Sequence, residues 1–229
     1  MFPEPAMAVR SRLEASTSGG RNADRLPSRT AKGSTVIELV TTRPDSPGAP
    51  AIPLHDADWS ADLVSRAGYH FHVRPAAPAD EAVLAEFFTH VDKEDLRFRF
   101  LSAIQKVGHD QLKALVSVDH TRTENFLAIE SGTGLVIATA MLASDETLTN
   151  AEVAVAIRSD FKRGGISWTL VEHVVRFARS KGIKTLESVE SRDNHQAIKL
   201  EREMGWSASP CPGDSTLIVL RMALEPQAA

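Results

Sequence analysis

The stretch AEVAVAIRSDFKRGGISWTL, residues 151–170, puts a carboxylate at one end of a short alternating segment and two adjacent glycines beyond the other. Glu152 shares a face with Ala154 and Ala156, and two alanines leave room beside a carboxylate for a substrate or an ordered water. Such a group can take a proton. A lysine-type amine, with an ordinary pKa of about 10.4, is almost wholly protonated at neutral pH and must lose a proton before it can attack a carbonyl. On the residues alone the plainer reading, a solvated strand-end carboxylate, stays open. The run KRGGIS leads into an apolar helical pattern. A helix opens with unpaired N–H groups, small residues there let an anion approach the main chain, and Lys162 and Arg163 add charge.

Two familiar phosphate-binding patterns do not fit this opening. A Walker loop needs G-x-x-x-x-G-K-[ST], which is absent. A dinucleotide fold needs G-x-G-x-x-G directly after its strand, whereas five residues separate Arg158 from Gly164; Glu187 and Glu190 stand near the place of a ribose-binding acid but do not repair that spacing. Other chemistry-bearing residues are weaker. His70 and His72 share a strand face without a third ligand nearby, so no metal site is expected. Asp119 and His120 read as a turn-capping Asp and a surface His, His195 as exposed, and Cys211, between two prolines, as inert.

Composition narrows the class. The 229 residues suffice for one good-sized core, so one domain is expected. A net charge of -4 gives no general field for nucleic acid or anionic membrane, so any bound anion must be held locally. One cysteine allows neither an intramolecular disulfide nor a thiolate metal cluster, and no apolar run has the length of a membrane span or signal-peptide core. A cytoplasmic protein is the expectation. Residues 1–70 hold seven of the twelve prolines and the cluster STSGGRN, which is linker composition; STVIELV is an isolated apolar exception. The expected division is a poorly ordered arm over 1–70 and a folded domain over 71–229.

The elements that must position Glu152 and the glycines follow from periodicity. FHVRPA reads as a strand, and ADEAVLAEFFTHV as a helix with Asp80 as N-cap. EDLRFRFL and HDQLKALVSV are further helices. FLAIE and LVIATAMLA, joined by SGTG, form a hairpin, and EVAVAI is the next strand. A helix from Gly165 to Ser180 carries Ile166, Leu170, Val174 and Phe177 on one stripe and closes at Gly182. KTLESVE is a strand, NHQAIKLEREM a helix ended by Gly205, and STLIVLRMAL the last strand. Hairpins followed by a strand-helix-strand unit make an α/β or α+β mixed sheet.

Residues 162–167, and then NHQAIKLEREMGW after the next strand, resemble the acetyl-CoA-binding core of the GNAT superfamily of N-acetyltransferases. That family's pattern is Q/R-x-x-G-x-G/A at the helix start, followed by N-x-x-A-i-x-l-Y-e-k-x-G-F/W. Lys162 stands where Gln or Arg is usual, Gly165 is the central glycine, and Ser167 replaces the last small residue. Asn194, Ala197, Ile198, Leu200, Gly205 and Trp206 match the second half. The resemblance covers about residues 71–225. With HVDKEDLRFRF and LVSVDHTR, the pattern is most similar to the GNAT domain of bacterial protein lysine acetyltransferases.

The resemblance implies a GNAT-type fold, with a splayed central mixed sheet flanked by helices. It implies acetyl-CoA as cosubstrate, without a metal, and an amine acceptor, either protein lysine or a small molecule. It places the CoA pyrophosphate on main-chain N–H groups around Arg163, Gly164, Gly165, Ile166, Ser167 and Trp168, with Lys162 and Asn194 as further cofactor-binding residues. Val155 and Ile157 would offer pantetheine the free edge of a strand that splays from residues 185–190. Glu152 would be the general base. The family's tyrosine acid is replaced by Glu201, and the one tyrosine, Tyr69, precedes the first core strand. A non-catalytic acyl-CoA-binding regulatory module is the rival reading.

Overall fold

The computed structural model describes residues 59–102 and 104–224. One eight-stranded sheet runs through it in the order β1-β2-β3-β4-β5-β6-β8-β7. Its strands are β1 (Ala61–Val64), β2 (His70–Pro75), β3 (Thr123–Glu130), β4 (Val136–Ser144), β5 (Asn150–Ile157), β6 (Thr185–Ser191), β7 (Ser207–Pro210) and β8 (Leu217–Ala223). All neighbours are antiparallel except β5 and β6. The helices are α1 (Glu81–Thr89), α2 (Lys93–Phe100), α3 (His109–Val116), α4 (Ile166–Ser180) and α5 (His195–Glu203). Parallel strands need a long crossover, and α4 supplies it between β5 and β6.

Alternation along the strands sorts the side chains into two cores. Val153 of β5 and Leu186 of β6 join Leu170, Val174 and Phe177 of α4 on one face. Ala154 and Ala156 turn to the other face, with Leu84 and Phe87 of α1, Phe100 of α2 and Leu115 of α3. A buried asparagine ties this second layer to the sheet. Asn125 Nδ2 donates to the Leu115 carbonyl at 2.8 Å, and its Oδ1 accepts from Thr139 Oγ1 at 2.7 Å. No polar atom of that side chain is left unpaired where an orphan would cost most.

Two readings of the sequence need correction and a third needs refining. The sheet begins before the expected boundary at residue 71, because β1 pairs with β2 from Ala61↔Val73 to Val64↔His70. The four residues ADLV are too short and too exposed to give a hydrophobic period. At the other end, β7 (SASP) is a second edge strand of small polar residues and was not anticipated, while Ser215 and Thr216 belong to a turn held by Asp214. Asp80 stands at the N-cap of α1 as expected, but without a side-chain bond to the helix: its carboxylate accepts from Arg74 at 2.6 and 2.7 Å and from the Ala77 N–H at 2.8 Å and so clamps the strand-to-helix turn. STVIELV lies outside the described residues.

Candidate active site

β5 and β6 pair over only three positions, ending at Glu152↔Glu187. Beyond them β5 continues to Ile157 against β4, and β6 continues to Ser191 against β8. A wedge therefore opens in the middle of the sheet with its vertex at Glu152. Backbone groups alternate between the two edges of a strand. The Asp145 N–H bonds to the Asn150 carbonyl and the Arg158 N–H to the Ile137 carbonyl, both at 2.9 Å, so the even positions of β5 turn toward β4. Val153, Val155 and Ile157 then turn their amide groups into the wedge, where no strand meets them.

The vertex is crowded with charge. Glu152 and Glu187 are 5% and 6% exposed and lie directly opposite each other. Like charges so placed repel unless each is matched. Glu187 is matched by Arg221 of β8, whose Nε donates to it at 2.6 Å. Arg99 of α2, 7% exposed, provides the field at Glu152 and also acts on Glu190. Burial pulls the Arg99 guanidinium down to about 10, so it keeps its charge at neutral pH. Its Nη2 contacts Met141 Sδ at 3.7 Å, while Nε and Nη1 have no hydrogen-bond partner among the described residues. Next to it, Arg97 reaches Asp193 at 3.6 Å, so α2 spans from the sheet to the loop between β6 and α5.

The glycine pair sits where β5 hands the chain to α4. After the turn Ser159–Phe161, Arg163 and Gly165 both adopt φ of 71°, and α4 begins at Ile166. Gly165 is thus in the left-handed region that glycine tolerates best. The first intrahelical bond runs from the Thr169 N–H to the Gly165 carbonyl, so the N–H groups of Ile166, Ser167 and Trp168 open the helix without an intrahelical acceptor. The Ile166 side chain is buried in the core and offers only its backbone here. Arg163 is exposed. Lys162, by contrast, is engaged: its Nζ pairs with Asp92 Oδ2 at 3.0 Å and also with Asp95, and these carboxylates hold its pKa above the ordinary lysine value. Trp168 donates from Nε1 to Glu172 at 2.6 Å and carries the Arg66 guanidinium 3.4 Å above its ring.

On the α4 and α5 face of the wedge stands a carboxylate pair. Asn194 caps α5, accepting from the Ala197 N–H at 3.3 Å and donating from Nδ2 to Glu190 Oε2 at 2.7 Å. Ser188 Oγ donates to Glu190 Oε1 at 3.0 Å. Glu201 is the one buried residue of α5. Burial pushes Glu190 up to about 7, and burial with the neighbouring Glu190 pushes Glu201 up to about 8.

The structure therefore puts Glu152 at the vertex of the wedge and the KRGGIS turn beyond its open end, with Val155 and Ile157 between them. Asn194 serves α5 and Glu190. Arg99, Glu187, Glu190 and Arg221 are charged residues near the vertex that sequence reasoning gave no site role, since their convergence depends on which strands pair. The Tyr69 hydroxyl bonds to Glu130, its ring packs edge-on against Phe161 at 5.7 Å, and burial pushes its pKa up to about 12. His72 pairs with Asp62 at 2.8 Å, Asp119 binds the N–H groups of Thr121, Arg122 and Thr123, and no metal-binding group of His, Cys, Asp or Glu occurs among the described residues. His195 lines a shallow hollow on the outer face of α5 with Ile198, Lys199, Arg202 and Glu203, away from the vertex. Cys211 is buried and free.

A mixed sheet split between two parallel strands, with the unpaired N–H groups of a helix start at the open end, can hold an extended ligand with an anionic group there. Residues 86–206 match the acetyltransferase (GNAT) family, and the chain belongs to that family as an N-acetyltransferase. It is 27% identical over 159 residues to an acetyltransferase of Pseudomonas aeruginosa, covering 69% of this chain and 86% of that one. Among solved structures it is similar to the GNAT domain of S. lividans PAT, with a TM-score of 0.68 at 23% identity, covering 76% of this chain and 100% of that domain. It is also similar to spermidine N-acetyltransferase from Vibrio cholerae in complex with CoA and spermine, with a TM-score of 0.56 at 12% identity over 68% of this chain and 96% of that one. These last two likenesses are of fold. Among the described residues no helix is long and apolar enough to cross a membrane.

Proposed function

We propose that this protein transfers the acetyl group of acetyl-CoA directly to an amine, with Glu152 as general base and protein lysine as the favoured acceptor class. The observation that carries the reading is the placement of a buried glutamate at the vertex of the β5–β6 wedge. The N–H groups from Arg163 to Trp168 hold the pyrophosphate, and the wedge-facing amides of Val155 and Ile157 hold the pantetheine arm. Acetyl-CoA as a substrate supplies an activated acyl carbon with a thiolate leaving group. Glu152 takes the proton from the incoming ammonium, the neutral amine adds to the thioester carbonyl, and loss of CoA gives the amide. No covalent enzyme intermediate is needed. The charge balance supports a cationic acceptor: Glu187 is matched by Arg221, while Glu152 and Glu190 are both acted on by the one guanidinium of Arg99.

A screen of protein lysine, polyamine and small amine acceptors with labelled acetyl-CoA tests this reading. In single turnover, Glu152→Gln is expected to slow transfer by about 10²–10⁴-fold while acetyl-CoA affinity changes little. The defect narrows as pH rises toward the acceptor's own pKa, because more amine is then already neutral. Unchanged transfer by the Gln variant excludes Glu152 as base. Acetyl-CoA binding without transfer to any acceptor favours the regulatory module.

A further inference from the structure

Helix α2 lies on the face of the sheet that carries Glu152, and it touches both halves of the wedge. Its first turn meets the KRGGIS turn through the ion pairs of Asp92 and Asp95 with Lys162, and Leu101, just past its end, packs with Val189 of β6 and Val219 of β8. Arg99 stands between these contacts. Its Nη2 is 3.7 Å from Met141 Sδ, and Met141 of β4 is the ladder partner of Ala154. Partnered side chains share a face with Cβ atoms about 5 Å apart, and Glu152 is the next residue on that face, about 7 Å along β5. The guanidinium therefore borders the space that Ala154 leaves next to Glu152. Packing does not account for a charge there. Arg99 is 7% exposed, and its Nε and Nη1 have no hydrogen-bond partner among the described residues. Buried donors of a charged group are costly to leave unpaired, and an apolar side chain would lie against Met141 without that cost.

We propose that Arg99 is a catalytic residue that donates to the carbonyl oxygen of the acetyl group and so holds the negative charge of the tetrahedral adduct. The inference rests on the transferase reading above. Three kinds of reacting atom come together beside Glu152. The amine nitrogen is a donor and arrives as a cation, which a guanidinium repels; the thioester sulfur is a weak acceptor; the carbonyl oxygen accepts well and becomes an anion. Only the oxygen satisfies the unpaired donors. As the neutral amine adds, the N–C bond forms and the C=O π pair moves to oxygen, where Arg99 donates. On collapse that pair re-forms the C=O bond, the C–S bond breaks with its electrons on sulfur, and the extra proton on nitrogen is the one that the thiolate takes up. Arg99 keeps its own proton throughout, since its guanidinium stays charged at neutral pH. Glu152 and Arg99 thus act at opposite poles of one addition, the carboxylate where the amine sheds its proton and the guanidinium where negative charge appears.

The test compares two ligands that differ in this one oxygen, using the full chain. S-ethyl-CoA has the shape of acetyl-CoA without its carbonyl oxygen. In calorimetry the parent is expected to bind acetyl-CoA about tenfold more tightly than S-ethyl-CoA, and Arg99→Met to bind the two about equally. In single turnover with an accepted amine, Arg99→Met lowers the rate by about 10²–10³-fold, and it does so again when added to Glu152→Gln, because the two residues act on different atoms. Arg99→Lys keeps a cation of shorter reach and loses the preference for acetyl-CoA as well; this variant carries the test if Arg99→Met does not fold. A preference for acetyl-CoA that is unchanged in the variants overturns the inference and leaves the transferase reading intact, since no transfer is needed to measure it. A rate unchanged by Arg99→Met, or lowered by it only while Glu152 is present, overturns it too, the latter by showing that Arg99 acts through the base. A parent that binds acetyl-CoA and transfers to no acceptor overturns both readings.

Discussion

Buried carboxylates in this protein divide by the company they keep. Asp80 accepts from Arg74 and from a backbone N–H, and these bonds hold it below the ordinary aspartate value. Glu190 and Glu201 lack such a cation in contact and rise to about 7 and about 8. The sign of the consequence follows from linkage: a carboxyl raised in the folded state contributes stability that is full below its unfolded value near 4.5 and is lost as pH rises through the folded value. Replacing Glu201 by Gln removes that loss. The Glu201→Gln variant is therefore expected to gain stability relative to the parent as pH goes from 6 to 9, by on the order of 1–3 kcal/mol at the upper end. Thermal unfolding at several pH values measures it; a constant difference across the range would mean that Glu201 does not titrate in the folded protein.

The loop between β5 and α4 shows how an element imposes a residue. Gly165 lies at φ of 71°, and a Cβ there would sit 3.5 Å from the Arg66 backbone nitrogen, an ordinary contact. Conformation, not space, makes glycine necessary. Gly164 has no positive φ, and a Cβ there meets only ordinary contacts of 3.5–3.7 Å. Gly165→Ala should accordingly cost about 1 kcal/mol or more, and Gly164→Ala well under that, as read from the two melting temperatures. Equal losses would move the conformational demand elsewhere in the turn. Gly165 was legible in the sequence because a left-handed helix start favours glycine. Lys162 was legible as a cation but not as a partner of Asp92 and Asp95, since the start of α2 is far away in the chain. Glu152 was legible by its alternation with Ala154 and Ala156. The charges gathered around it were not, because Arg99, Glu187 and Arg221 meet only once α2, β6 and β8 take their places. The last turn of α5 was hidden for another reason: a helix docked through a glutamate has the same apolar period as one that leaves it in solvent.

At the scale of the molecule, the segment before β2 binds the two ends of α4 to the sheet. Trp59 packs edge-on against Phe177 at 5.3 Å and His173 at 5.9 Å, and both of these pack against Phe126 of β3. The turn after β1 then lays Arg66 over Trp168 and beside Gly165, at the opposite end of the same helix. Between the two contacts β1 extends the sheet by four paired positions. Linker composition over residues 1–70 therefore hides the pairing of β1 and the packing of Trp59 and Arg66 on α4. Trp59→Ala should lower stability by about 2 kcal/mol, less than for a fully buried tryptophan because the ring is only partly covered. Removing all residues through Ala67 should cost more than that substitution, since it also deletes the β1 pairing and the Arg66 stack, which is worth about 0.5–1 kcal/mol on its own. Urea unfolding of the full chain, Trp59→Ala and the shortened chain ranks the three. A shortened chain as stable as the full one would show that β1 merely rests on the sheet, and that α4 is held by its own apolar stripe alone.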